Sequence, residues 1–196
     1  MANVTLKPTG PDVALANAIA ANTGPAPERM TGILTWGADE HILLALASAG
    51  FLYAHVKRPA LRPAANHILL VTVVMAMLPH ALKSHVDQTR PDRRTVRGHW
   101  RGIPFSGKSR DAFPSGHAVH MGALASVASV LPPKPRAAVR AIAIGLSLTR
   151  IVLLAHWASD VLAGFALGAL TERALRRVTG YSDAAFSDLT CQRERV

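Results

Sequence analysis

Apolar residues gather in five stretches along the chain, separated by segments rich in Pro, Gly and charge. Residues 39–56 run apolar after an acidic start and stop at the basic break VKRPALRP, which predicts a first helix. Residues 63–82 hold no Asp, Glu, Lys or Arg over 20 positions. At about 1.5 Å rise per residue such a helix crosses an apolar slab of roughly 30 Å, making this the clearest span. Pro79 is placed to kink its end, and His67 and His80 to face other helices or the interfaces. A polar stretch fills 83–111. SGHAVHMGALASVASVL then predicts a third helix ending before PPKP, residues 136–155 a fourth, and Trp157 through SDVLAGFALGALTERALRRV a fifth. Gly164 and Gly168 give the last a small-xxx-small face for close packing.

This pattern predicts an all-α, polytopic transmembrane helical bundle of about five transmembrane helices, against the alternative of a compact soluble helical domain. Composition shifts the choice. Of 196 residues, 49% are hydrophobic and 17% charged, and the second figure falls below the roughly 25% of soluble domains. That disfavours disorder and a charged, solvated bundle. The 22 basic residues against 12 acidic ones give +10, but they fall between apolar runs instead of along one helical face. Their placement fits anionic lipids and excludes nucleic acid as the expected partner. The single cysteine, Cys191, supports neither an internal disulfide nor a cysteine zinc cluster.

Orientation follows from the loops. Lys57, Arg58 and Arg62 share one side with Lys134, Arg136 and Arg140, and the last helix exits there at Arg173, Arg176 and Arg177. Positive-inside reasoning makes that side cytoplasmic. The basic 83–111 loop argues the other way, with a competing functional use for its charges. The expected setting is a bacterial-type inner or plasma membrane with the chemistry on the extracytoplasmic face. Residues 1–37 are expected to be an N-terminal tail with room for an interfacial segment at the apolar patch 13–21, residues 38–178 the membrane catalytic domain, and residues 179–196 a C-terminal tail.

Helix alternation puts four separated pieces at one membrane boundary: 83–91, 114–117, Arg150 and 156–160. Lys83 supplies a point charge, and Arg90 and Arg150 supply rigid forks, a set suited to the anionic oxygens of a phosphate. Ser115 and Gly116 add donors where the third helix begins, since first-turn N–H groups favour an anion. His156 and Asp160 lie four apart on one helical face. That spacing lets the carboxylate keep one ring nitrogen protonated while the other acts as nucleophile. His117, from another helix, is placed to protonate the departing alkoxide and then to deprotonate water. The three cations stabilise the transferring phosphoryl group without calling for a metal ion or cofactor.

KSHVDQTRP, FPSGH and TRIVLLAHWASD resemble the three signature blocks of the type 2 phosphatidic acid phosphatase superfamily. The resemblance covers roughly 38–178, and Thr149 stands where a serine is common. It implies the helical acid phosphatase–haloperoxidase fold, with His156 as nucleophile, Asp160 as its orienter and His117 as acid/base. Lys83, Arg90, Ser115, Gly116 and Arg150 form the implied phosphate shell. Related membrane enzymes commonly have six helices against the five convincing spans here. The implied activity is metal-independent hydrolysis of a membrane lipid phosphomonoester or diphosphate through a phosphohistidine. Phosphatidic acid, phosphatidylglycerol phosphate, undecaprenyl diphosphate and a lipid A phosphate are the candidate substrates.

Two other readings compete: a vanadate-dependent haloperoxidase, which uses a similar anion pocket, and a non-enzymatic membrane anion transporter or binding protein. Arg93, Arg94, Arg97, Arg101, Lys108 and Arg110, interleaved with Trp100 and Phe105, suit either a phosphorylated headgroup or an interfacial anchor. His41, His55, His67, His85, His99 and His120 are expected to be structural, interfacial or outlying groups.

Overall fold

The computed structural model describes residues 4–91 and 111–181. Thr9, Pro11 and Asp12 start the first helix, α1 (Gly10–Asn22): the Thr9 hydroxyl accepts from the Asp12 N–H while the Asp12 carboxylate accepts from the Thr9 N–H. This reciprocal cap satisfies two donors that a helix start leaves open. A short helix α2 (Pro25–Leu34) and a 3-10 turn (Thr35–Ala38) follow. Asp39 then caps α3 (Glu40–Lys57) by accepting from the N–H groups of His41 and Ile42. The remaining helices are α4 (Arg62–Lys83), α5 (Gly116–Val127), α6 (Pro133–Val152) and α7 (Ala158–Thr179). Gly180, at φ 66°, stops α7 in a left-handed cap that a side chain would strain. A pair of two-residue strands, β1 (Val4–Thr5) and β2 (Val86–Asp87), runs parallel with Val4 opposite Val86.

All five predicted helices form, with ends shifted by a few residues, and α4 continues through Pro79 to Lys83. Within the segment 1–37, expected as an N-terminal tail with room for an interfacial segment, and on to Ala38, the chain forms β1, α1, α2 and the 3-10 turn. The reason is apolar burial, since Val13, Ala16, Ile19 and Ala20 pack against Ala112, Leu154 and Trp157.

Helix α5 is the bundle's axis, buried from Ala118 through Ala123. It lies so close to α7 that a Cβ at Gly122 would sit on the Phe165 carbonyl, and one at Gly168 on the Val119 carbonyl. At Gly164 a Cβ would come within 2.7 Å of the Ser115 oxygen. The expected packing role of Gly164 and Gly168 is therefore met, with Gly122 as their counterpart.

The burial pattern is inverted relative to a water-soluble bundle. Polar Arg150, His156, Asp160, Glu172 and His67 are buried, whereas Leu46, Leu52, Val56, Met77, Ile142, Leu162 and Leu170 face outward. Such an apolar exterior matches a hydrocarbon solvent. Among the described residues, the segment Pro59–Lys83 is the one helix long and apolar enough to cross a membrane on length and hydropathy. Helix α5 falls short at 12 residues, and α6 and α7 carry ionisable groups.

Candidate active site

The four sequence pieces meet at one end of the bundle, where α4 and α6 finish and α5 and α7 begin. Ser115 is the N-cap residue of α5, Gly116 its first residue and His117 its second. The Ser115 N–H reaches the Asp160 carbonyl at 3.4 Å, which ties the starts of α5 and α7 together. Arg150 lies in the last turn of α6, and its carbonyl accepts from the N–H groups of Ala155 and His156 at 3.1 and 3.3 Å. Leu154 adopts φ 54° in this tight turn. The turn is what brings His156 back over the end of its own preceding helix.

His156 is buried, and its Nδ1 lies 2.6 Å from the Ala112 carbonyl. A carbonyl can only accept, so this contact places the proton on Nδ1 and leaves the Nε2 lone pair for attack. Here the structure refines the expected division of labour. Asp160 Oδ2 stands 4.0 Å from Nδ1 and accepts instead from the Trp157 N–H at 2.9 Å. The ring is thus oriented by a backbone carbonyl, with the Asp160 carboxyl nearby as a cap for the first turn of α7. Burial, followed by the charges of Arg150, Arg90 and Lys83, holds the His156 imidazole well below its ordinary 6.5. The ring is neutral at pH 7, the state a nucleophilic role would require.

The cationic shell is assembled but not idle. Asp111 accepts from Arg90 Nε and Nη2 at 3.1 and 2.9 Å, and its other oxygen lies 3.8 Å from Lys83 Nζ. Sequence reasoning missed this carboxylate, which occupies the clamp as an anion would. Arg150 Nη1 donates to Thr35 Oγ1 at 3.2 Å; the Thr149 hydroxyl gives its proton to the Leu146 carbonyl at 2.6 Å and accepts from Thr35 Oγ1 at 3.2 Å. The hydroxyl at 149 therefore serves to anchor the clamp to the N-terminal region. Arg150 Nε and Ser115 Oγ are buried without a hydrogen-bond partner. Unpaired buried donors cost about 1–3 kcal/mol each, and here they mark where a ligand oxygen would be received.

Ala112 and Asp12 were also missed. Ala112 offers only a backbone oxygen, which no side-chain pattern advertises. Asp12 accepts from the Ser159 N–H and hydroxyl at 2.9 and 2.8 Å, bridging 147 positions of sequence. The capping signature of Thr9 to Asp12 was the available signal for a helix there. Of the six histidines expected to be structural, His67 and His120 are buried, His55 bonds the Phe51 carbonyl, and His41 is exposed beside Glu40. His85 accepts from the Val4 N–H through its carbonyl. His99, Trp100, Phe105 and the six basic residues from Arg93 to Arg110 lie outside the described residues.

One further feature adjoins the site. A largely apolar cleft of about 450 Å³ runs between α3, α4 and α5, lined by Leu46, Tyr53, Ile68, Met75 and His120 among others. His120 lies one turn along α5 from His117.

The family described as PAP2 superfamily matches residues 64–183. A lipid A 1-phosphatase of Rhizobium johnstonii is 32% identical over 165 residues, covering 77% of this chain and 68% of that protein. A lipid A 1-phosphatase of Rhizobium etli is 40% identical over 102 residues, or 51% of this chain and 44% of that protein. Among solved structures, Aquifex aeolicus LpxE shares the fold with a TM-score of 0.69 at 18% identity, covering 89% of this chain and 99% of its own. The transmembrane PAP2 type phosphatidylglycerolphosphate phosphatase from Bacillus subtilis gives 0.63 at 23% identity, covering 87% and 85%.

Proposed function

This chain belongs to the PAP2 superfamily, and on that premise we propose that it is a membrane phosphatase that removes a phosphomonoester from a lipid of the lipid A class. The observation that carries the reading is the convergence of Lys83, Arg90 and Arg150 on the buried, neutral His156. A triple cation around a free imidazole nitrogen suits an anion that must be attacked. The names of the two Rhizobium relatives favour the lipid A 1-phosphate over phosphatidic acid, phosphatidylglycerol phosphate and undecaprenyl diphosphate. They also favour phosphatase over haloperoxidase or transporter.

In the proposed mechanism the substrate phosphate displaces Asp111 from Lys83 and Arg90 and takes the vacant donors of Arg150 and Ser115. His156 Nε2 attacks phosphorus, a P–N bond forms, and the P–O bond to the lipid breaks. His117, protonated once the bound phosphate's negative charge offsets the neighbouring cations, delivers that proton to the leaving alkoxide, so the lipid departs as an alcohol. His117 then takes a proton from water as the water oxygen attacks phosphorus. The P–N bond breaks, inorganic phosphate leaves and His156 is restored. Lys83, Arg90 and Arg150 hold the equatorial oxygens throughout. The chain needs no metal for any of these steps.

The apolar cleft beside His120 supports accommodation of acyl chains next to the reacting phosphate. At the opposite end, Arg140, Arg173, Arg176 and Arg177 line a second cleft of about 470 Å³. Their concentration supports both an anionic lipid contact there and an extracytoplasmic active site.

The test is phosphate release in detergent from the four lipid classes and a soluble phosphomonoester, with wild type and His156→Ala, with and without excess chelator. Fastest release from lipid A 1-phosphate, abolished in the variant and insensitive to chelator, is expected. Preference for another lipid overturns the substrate assignment. Loss of activity restored by one divalent ion overturns the metal-free mechanism.

A further inference from the structure

We infer that the N-terminal segment, residues 4–22, is a brace for His156, with Asp12 as its positioning residue; this rests on the catalytic reading of His156. The segment lies before the region matched by the family, yet it reaches two of the three signature blocks. On the first, the N–H groups of Val4 and Leu6 donate to the carbonyls of His85 and Asp87, both at 2.9 Å. On the third, Asp12 binds the start of α7.

That start needs outside help. The N-cap position of α7 is held by Trp157, which has no side-chain acceptor, although the first-turn N–H groups of a helix require one. Asp160 takes the Trp157 N–H from within. Asp12 takes the Ser159 N–H on one oxygen and the Ser159 hydroxyl on the other. The carboxylate is 4% exposed and also accepts from the Thr9 N–H and hydroxyl at 3.0 and 2.7 Å. Burial alone would raise its pKa, but the bonds from Ser159 and Thr9 outweigh it and hold Asp12 below its ordinary 3.8. It is a fixed anion at a helix N-terminus, supplied by a distant segment of the same chain where the dipole favours it.

The same helix controls the partner of His156. Ala16 of α1 packs in one cluster with Ala112, Leu154 and Trp157. Ala112 carries the carbonyl that holds Nδ1, Leu154 sits in the strained turn before His156, and Trp157 follows it and donates to the Thr89 carbonyl at 2.8 Å. His156 is thus clasped on both sides by groups that α1 immobilises. Reacting groups misplaced by about 1 Å lose on the order of 10²-fold in rate, so loss of the brace should register in turnover and leave phosphate binding by Lys83, Arg90 and Arg150 largely intact.

Asp12→Ala, the near-isosteric Asp12→Asn and wild type are compared by steady-state kinetics on the best lipid of the panel and by solvent exchange of the His156 Nδ1–H in ¹⁵N-histidine NMR. Expected is a fall in kcat of about 10- to 100-fold in Asp12→Ala with KM within twofold, faster Nδ1–H exchange, and partial recovery of both in Asp12→Asn. Wild-type kcat and exchange in both variants, with only a lower melting temperature, would overturn the brace. So would a loss expressed in KM alone. The exchange measurement needs no turnover, so an inactive wild type would count against the phosphatase reading while the brace is still decided. If Asp12→Ala does not fold, Asp12→Asn carries the same two readouts.

Discussion

The two ends of the bundle solve the problem of buried polar groups in opposite ways. Near the phosphate clamp, Ser115 Oγ, His120 Nε2 and Arg150 Nε are buried with no partner. At the far end, Glu172 is fully buried and accepts from His67 Nε2, the Ser126 hydroxyl and Arg176 Nε and Nη2. Arg176 also donates to Ser129 Oγ and the Ser126 carbonyl, and Tyr181 stacks on His67 with ring centroids 4.7 Å apart. Both ends are equally deep in the protein, so depth does not distinguish them; satisfaction does. A completed network holds helices together, while an incomplete one stores donors for a ligand.

Substitutions at the two ends should therefore separate activity from stability. The largest effect is expected for His156→Ala, which removes the attacking nitrogen: turnover falls by at least about 10⁴-fold, roughly 5.5 kcal/mol of barrier, with melting in detergent little changed. Single-turnover phosphate release and a thermal melt on the same preparation check both halves. Glu172→Ala should do the reverse, since it strands a buried histidine and a half-buried arginine. Its expected cost is about 3–5 kcal/mol of stability, with kcat of the folded fraction within about twofold.

Arg150→Ala tests the clamp. Loss of one preorganised donor to a transition-state oxygen costs about 10²–10³-fold in kcat, and Arg150→Lys should recover little because a point charge cannot replace the fork. Asp111→Asn is gentler. Freed of its carboxylate rival, the clamp should bind inorganic phosphate up to about fivefold more tightly, the roughly 1 kcal/mol ceiling of a partly exposed pair, as read from product inhibition.

The smallest effect is in pH. His156 is held well below its ordinary 6.5 in the folded state, so the unfolded chain binds a proton there first. Its contribution to stability is complete above about pH 6.5 and declines as pH falls below that value. Acidification from pH 7.5 to 5.5 should lower the wild-type melting temperature more than that of His156→Ala.

The sequence displayed one side of this contrast far better than the other. That Lys83, Arg90, Ser115, His117, Arg150, His156 and Asp160 lie at one end of the bundle was legible because helix alternation forces their segments to one boundary. Glu172 drew no reading and His67 only that of a structural or interfacial histidine, since nothing local shows that residues 105 positions apart meet. Asp111 and Ala112 escaped for another reason. Their roles depend on where a loop's carboxylate and carbonyl point, and loops have no periodicity to read. The helix at Gly10–Asn22 was legible only as an apolar patch at 13–21, because its partners Leu154 and Trp157 lie far off in sequence.

The central claim is that His156 carries the phosphoryl group. Rapid quench of wild type, His117→Ala and His156→Ala with a lipid substrate bearing radiolabelled phosphate measures this directly. Label bound to wild type and accumulating in His117→Ala, but absent from His156→Ala, is the predicted result. Label of undiminished amount on His156→Ala would contradict it.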